Sequence, residues 1–418
     1  MNAPDHHAGV VLAQQSLRSN EVERASLRVA LLTGGDDRSY ALGLATSLMG
    51  HGVHIDFIGS DQVDGPELHG TPSVRFLNLR GDQSPGANVA RKLWRLLRYY
   101  ARLVAYAAQS RATVFHILWN NKFLHFDRTL LMLYYRALGH RVVMTAHNVN
   151  AAARDGHDSW LNRLTLRIQY HLCSQIFVHT PRMGQQLASD FGIAADRISI
   201  IPFGINNTSP TTPINGAQAR QRLGLDGADR VMLFFGQIAP YKGLEQLVSA
   251  LPRAFADDPR LRLVVAGKVK TGCEDYWRQI EQRLRDPALA PRVQQRIAHI
   301  PGSDVELYFK AADVLVIPYV QIFQSGVPFL AYSFGLPVIA TDVGALRDDI
   351  IEGRTGLMCR PGDPADIARA IRDYFSSSLF ANLARAREDI RAVANERHSW
   401  ANVAAISEKV YRRVSATR

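Results

Sequence analysis

Short apolar runs alternate with longer amphipathic stretches along most of the chain. Residues 27–33 (LRVALLT) read as a buried strand, followed by Gly34 and Gly35, a helical stretch at 40–50 and a second strand at 53–58. Apolar runs at 113–118, 141–146, 175–179 and 198–201 continue the series, with helical segments at 158–172 and 181–191. The stretch NNTSPTTPIN at 206–215 is the richest cluster of turn and breaker residues in the chain and marks a junction. Beyond it the alternation restarts, with strands expected at 231–235, 261–266, 297–300, 314–318 and 337–340. Helices are expected at 243–255, 275–285, 304–311, 327–334 and 364–375, and the tail at 399–414 is amphipathic. Strands that alternate with helices in this way predict an α/β chain with two mostly parallel sheets.

A chain of 418 residues exceeds one ordinary core. The expected division is a leader without ordered structure at 1–26, a Rossmann-like domain at 27–205, a linker at 206–228, a second Rossmann-like domain at 229–395 and a C-terminal helix at 396–418. A composition of 47% hydrophobic and 21% charged residues is that of a globular protein. No apolar run reaches the roughly 18 to 20 residues of a membrane span. The first 26 residues lack the basic start and solid apolar core of a signal peptide. Cys173, Cys273 and Cys359 are too scattered for a disulfide framework or a cysteine metal site, so a reducing cytoplasmic location is expected.

Charge changes this picture. Between Arg91 and Arg182 there are 14 Lys and Arg against 3 Asp and Glu, a surplus equal to the +11 of the whole chain. Such a block suits a polyanionic partner or an anionic membrane surface. Its sharpest piece, RKLWRLLRYYARLVAYAA at 91–108, sets Arg91, Arg95 and Arg98 at helical spacing around Trp94. The pattern fits an interfacial helix, and it fits equally a surface helix that packs its Leu face on its own sheet. No RNA- or DNA-binding module accompanies it, so nucleic acid is not an expected partner.

The densest chemistry lies at 316–348, VIPYVQIFQSGVPFLAYSFGLPVIATDVGALRD, a β-α-β pattern with a small-residue turn at Ser325-Gly326. About eighty residues upstream stands Gly236-Gln-Ile-Ala-Pro-Tyr-Lys-Gly243. Together with Phe234-Phe-Gly236, Ala312-Asp313, Ile317-Pro-Tyr319 and Gly335-Leu-Pro337, in that order, these motifs resemble the donor half of GT-B glycosyltransferases of the family 4 type. The resemblance runs from Leu27 to Val414 and is stronger in the second domain. It implies two Rossmann-like domains facing a central cleft, with the last helix crossing back to the first domain. It also implies transfer of a sugar from a UDP- or GDP-sugar, with retention, to a lipid-linked or polysaccharide acceptor. Surface polysaccharide or glycolipid synthesis at the inner face of the cytoplasmic membrane is the expected setting, and no cofactor beyond the donor is required.

The resemblance assigns residues one by one. Lys242 beside Gly236 would meet the donor diphosphate, where cations and backbone dipoles stabilise growing charge. The family's arginine five positions earlier is Gln237 here, and its two glutamates fall on Ile322 and Leu330. Gln324, Ser325 and Gly326 are the polar groups left to recognise hydroxyls, as in a branch with Ser-Gly in this turn. Lys268 and Asp348 complete the donor candidates. His147, after the strand at 141–146, matches a histidine near the donor sugar. Gly34, Gly35, Asn120, Asn121, Asn148 and Arg154 are candidates for acceptor contacts or for lining the cleft. The histidines show no metal-ligand spacing, and no metal is expected. A catalytically weak or inactive nucleotide-sugar-binding protein of the same fold is the alternative.

Overall fold

The computed structural model describes residues 27–34, 38–83, 86, 88–205, 207, 209 and 211–416. Gly35 and the leader at 1–26 lie outside the described residues. The chain divides into two compact units. The first comprises the described residues up to Ala146, then Ser159–Ile201 and the C-terminal helix Trp400–Ala416. The second comprises His147–Asp158 and Pro202–Ser399.

The first unit is a parallel sheet of β1 (Arg28–Leu32), β2 (His54–Gly59), β3 (Val74–Asn78), β4 (Val114–Ile117), β5 (Arg141–Thr145), β6 (Gln175–Val178) and β7 (Ile198–Ile200). Their order is β3-β2-β1-β4-β5-β6-β7, so connections reverse between β1 and β4. Main helices are α1 (Arg38–Gly50), α2 (Val89–Gln109), α3 (Trp160–Leu172) and α4 (Pro181–Phe191). Local chemistry sets their starts: Asn88, Ser159 and Thr180 each accept the N3 amide, satisfying an end donor at about 1 kcal/mol apiece. The C-terminal helix is locked to this unit by shape and by a buried polar link. The Trp400 ring fills the space where a Cβ on Gly43 would lie, and Tyr411 Oη meets His116 Nδ1 at 2.6 Å.

The second unit is a parallel sheet ordered β10-β9-β8-β11-β12-β13. Its strands are β8 (Arg230–Phe235), β9 (Leu261–Ala266), β10 (Val293–Arg296), β11 (Val314–Ile317), β12 (Val338–Thr341) and β13 (Gly356–Cys359). Helices α5 (Leu244–Asp257), α6 (Glu274–Leu284), α7 (Val327–Ser333), α8 (Pro364–Phe375) and α9 (Leu383–Arg397) are the principal ones here. Along β8, Val231 and Leu233 enter one apolar cluster while Met232 and Phe234 enter another. Burial on both faces is why such strands read as solid apolar runs. Arg220 forks onto both oxygens of Asp313 at 2.8 Å, and Asp313 also accepts from Val231 N, which ties the start of β11 to β8.

One expected strand is displaced. The run at 297–300 is not a strand; the edge strand is Val293–Arg296, one step earlier. It pairs with β9 through its backbone while Gln294, Gln295 and Arg296 face solvent, so it carries no apolar signature. Ile300 belongs to the core but lies past the ladder.

Candidate functional site

In the second unit connections reverse between β8 and β11, and the loops after these strands diverge from one point at the carboxyl edge. Open α/β sheets bind ligands at that point. After β8 come Gly236, Gln237, a 3-10 turn at Pro240–Lys242 and then α5; after β11 come Pro318 and Tyr319. Lys242 joins the two loops: its Nζ donates to Tyr319 Oη at 2.9 Å and lies 4.9 Å from the Tyr319 ring centroid. Only 7% of Lys242 is exposed. Lys270 and Lys310 have carboxylate partners among the described residues, and Lys242 has none. Burial pulls its pKa down, but Coulombic and hydrogen-bond coupling to the tyrosines Tyr319 and Tyr241 outweighs that, leaving it raised and the group an ammonium.

Glycine makes this crossing possible. A Cβ on Gly267, at φ +150°, would fall 1.8 Å from Gly236 O, and one on Gly243, at φ +62°, would fall 2.0 Å from Pro318 O. No N-cap side chain closes the start of α5; the amides of Leu244 and Glu245 turn to the Tyr276 hydroxyl, and Gln246 N donates back to Gly243 O at 2.9 Å.

A second cationic group surrounds Tyr241. The Arg154 guanidinium carbon lies 4.4 Å and Lys270 Nζ 5.5 Å from the ring centroid. Asp155 bridges them, at 2.9 Å to Arg154 Nε and 2.8 Å to Lys270 Nζ. Burial raises the Asp155 pKa, but these hydrogen bonds and charges win and hold it below the usual carboxylate range. Arg154 also donates to Asn148 at 3.3 Å. His147, half-buried at the start of the same segment, meets the Phe203 ring edge-on at 6.2 Å.

The turn after β11 is tighter than the sequence suggests. Ser325 is buried, its Oγ accepts from Val327 N at 3.3 Å, and Gly326 lies against Phe203. Gln324 Nε2 donates to Asp349 Oδ2 at 3.0 Å, while Gln324 Oε1 is buried with no hydrogen-bond partner among the described residues. Burial pushes the Asp349 carboxyl up to about 7, against the pull of the Gln324 bond. Here the inward acid differs from the expected one: Asp348 is exposed, and Asp349, the next residue of helix Leu346–Asp349, turns into the core. Ile322 and Leu330 pack into the apolar cluster, and the side chains of Gln237 and Lys268 are exposed.

The first-unit candidates are mostly engaged internally. Gly34, at φ +62°, leaves room for Trp119, whose Cβ would stand 2.5 Å from an added Cβ. Asn120 exchanges two hydrogen bonds with Gln169, at 3.1 and 2.7 Å. Asn121 accepts from Arg80 and from Tyr99 Oη and donates to Asp127. On α2, Arg91, Arg98 and Trp94 are exposed and Arg95 pairs with Asp82 at 3.2 Å. Among the described residues no helix is long and apolar enough to cross a membrane. Tyr241 and Tyr319 stand in the motifs at 236–243 and 317–319, but nothing in those motifs marks them as site residues; Asp155, Phe203, Lys270 and Asp349 carry no signal in the sequence pattern.

Comparison with known proteins decides what this arrangement belongs to. The family model described as Glycosyltransferase Family 4 matches residues 38–208, and that described as Glycosyl transferases group 1 matches residues 229–377. The chain belongs to the family 4 type glycosyltransferases. D-inositol 3-phosphate glycosyltransferase of Geodermatophilus obscurus is 32% identical to this glycosyltransferase over 235 residues, covering 54% of this chain and 49% of that protein. The protein of that name from Corynebacterium glutamicum is 25% identical over 391 residues, covering 89% and 90%. The match spans about half the length of the first of these curated relatives. Sucrose-phosphate synthase from Thermosynechococcus elongatus superposes with a TM-score of 0.73 at 21% identity, over 94% of this chain and 100% of that one. Anabaena HepE in complex with UDP and glucose gives 0.69 at 17% identity, over 93% and 99%. The fold is GT-B, with a Rossmann-like parallel sheet in each unit.

Proposed function

We propose that this glycosyltransferase moves a sugar from a UDP- or GDP-sugar to a lipid-linked or saccharide acceptor, with retention, in surface polysaccharide or glycolipid synthesis. The observation that carries the donor half is Lys242, a buried ammonium with no carboxylate partner among the described residues, at the switch point of the second sheet. As the bond from sugar to diphosphate breaks, charge grows on the leaving group, and a fixed ammonium in a desolvated site stabilises it most. Gly236, with no side chain, lets the diphosphate approach the backbone beside Lys242 in this reading. Gln324 offers an amide carbonyl to a donor hydroxyl, and Ser325 and Gly326 shape the turn beside it. His147 orients the sugar and is not assigned as a base. Catalysis then rests on positioning and electrostatics, with the donor diphosphate assisting the incoming acceptor. HepE, a structural neighbour, has been seen with UDP and glucose, which supports a nucleotide-sugar in this fold.

The expected location is the cytoplasm, at the inner face of the cytoplasmic membrane, with no cofactor besides the donor. One observation favours a weak or inactive binding protein instead: the positions of the paired glutamates hold Ile322 and Leu330, packed in the core. Calorimetric titration with UDP, GDP and ADP, beside Lys242→Ala, tests both. Selective binding of one nucleotide that is lost in the variant supports the donor site, and turnover of the matching nucleotide-sugar separates transferase from binder. Absence of binding to all three refutes the donor site.

A further inference from the structure

Helix α2 is buried unevenly. From Tyr99 onward it packs Tyr99, Tyr100, Leu103 and Ala107 into the first unit, whereas its first turns leave Val89, Leu93, Trp94 and Leu97 at least half exposed. The asymmetry extends further: of the fourteen large apolar side chains exposed among the described residues, twelve lie between Val89 and Leu164, all in this unit. The same stretch overlaps the basic block. Surfaces that combine exposed apolar area with excess cations suit an anionic bilayer.

Beside the exposed part of α2 lies a cavity of about 450 Å³. Val89 and Leu93 form part of its wall, and Arg80, Lys92, Arg95 and Lys122 supply four cations with no carboxylate in the lining. Asp82 pairs with Arg95, and Arg80 is held by neutral groups, bonded to Asn121 and 4.7 Å above the Tyr99 ring. Lys92 and Lys122 have no ion-pair partner among the described residues. A soluble anion would use only the cationic half of this cavity. A phosphate carried on a hydrocarbon chain would use both halves.

We propose that the cavity binds the phosphate or diphosphate head of a lipid, with its chain lying along Val89, Leu93 and Leu97. That this lipid is the sugar acceptor rests on the transferase reading; the head site itself does not. The test is flotation of the full-length protein with phosphatidylcholine vesicles containing phosphatidic acid or phosphatidylglycerol at matched surface potential. The parent should prefer phosphatidic acid, whose phosphate is terminal. The Lys92→Gln, Lys122→Gln double variant should bind those vesicles roughly thirtyfold more weakly, at about 1 kcal/mol per lysine near an anionic surface, and should lose the preference. Lys92→Arg with Lys122→Arg should keep it, and Leu93→Ser with Leu97→Ser should weaken binding to both vesicle types. Equal losses on both vesicle types in the glutamine variant would mean plain surface adhesion and overturn the head site. Displacement from vesicles by micromolar glycerol phosphate would make the site one for soluble phosphates and overturn the lipid. Nucleotide titration of each variant reports folding, and a parent that binds phosphatidic acid but no nucleotide would leave the head site standing while the donor reading fails.

Discussion

Replacing Lys242 by methionine separates binding from folding, because the two effects differ in size. Methionine keeps most of the aliphatic volume and removes the charge. The apo protein then loses one hydrogen bond to Tyr319, about 1 kcal/mol. It is also spared the burial of an ammonium, but coupling to Tyr319 and Tyr241 already outweighs that cost in the parent. Apo stability should therefore fall by only about 1 kcal/mol. A hydrogen bond from a charged group to a diphosphate oxygen is worth about 1.5 to 3 kcal/mol, so UDP or GDP should bind roughly 10- to 150-fold more weakly. At a nucleotide concentration of about 100 times the parent Kd, ligand stabilisation is about 2.7 kcal/mol, and a hundredfold loss of affinity reduces it to about 0.4 kcal/mol. Thermal unfolding with and without nucleotide reads both quantities in one experiment. The raised pKa of Lys242 keeps the ammonium intact: its contribution is fully present below the ordinary 10.5 and fades only above it, so nucleotide affinity should owe no pH dependence to this group from about pH 6 to 9. A variant that loses more than about 2 kcal/mol of apo stability yet binds nucleotide like the parent would make Lys242 structural and refute the reasoning.

Gly267→Ala should cost on the order of 3 kcal/mol or prevent folding, since its Cβ would stand 1.8 Å from Gly236 O at a φ of +150°, and denaturant unfolding measures it. Asp349→Asn should stabilise the protein at pH 8 and change little at pH 4. A folded pKa of about 7 against an ordinary 3.8 means that the acid's favourable contribution is present below 3.8 and lost as pH rises to 7, by up to about 4 kcal/mol; equal effects at both pH values would contradict it. Burial depresses His116 to about 3 and His179 and His398 to about 4, so each is neutral in the fold. Their contribution is intact above the ordinary 6.5 and falls as pH drops toward 4, by about 1.4 kcal/mol per pH unit for each, and urea unfolding of His179→Gln between pH 7 and 5 should show a shallower decline than the parent.

The sheets were legible where strands are buried on both faces. LRVALLT and VMLFF announce β1 and β8 because every side chain along them except Arg28 and Phe235 is buried. Of the edge strands, only β7 showed an apolar run. β10 exposes three polar side chains, and β3 and β13 are half-buried, so backbone pairing alone defines them and a pattern of side chains cannot. Helix α9 was missed for a related reason: LARAREDIRAVANER buries only Ile390, Val393 and Ala394. The amphipathicity of α2 was plain, but it could not say where along the helix packing stops. That point, at Tyr99 and Tyr100, depends on partners distant in sequence: Asn121 for Tyr99, Phe123 and Asp127 for Tyr100.

Motif positions predicted the loops at the switch point but not the charges that complete them. Gln237 stands where relatives carry an arginine, and in the structure its side chain is exposed. Arg154 and Lys270 instead bring two cations onto Tyr241, the residue next to Lys242. With Asp155 between them, the three cations and one carboxylate leave a surplus of two positive charges in one place. That surplus is unfavourable in an empty site, because the like charges of Arg154 and Lys242 repel. It becomes favourable when a nucleoside diphosphate supplies a comparable negative charge. Sequence order hid this because Arg154 and Asp155 arrive from a segment some ninety residues before Lys242, and the second unit gathers them only through folding. The missing arginine is therefore weak support for an inactive protein, since the positive charge it would bring is present from another direction. The core-packed Ile322 and Leu330 have no such replacement beyond Gln324, whose amide nitrogen donates to Asp349 and whose buried carbonyl has no partner among the described residues. Any loss of activity in this branch should accordingly appear in recognition of the donor's hydroxyls and not in the binding of its diphosphate.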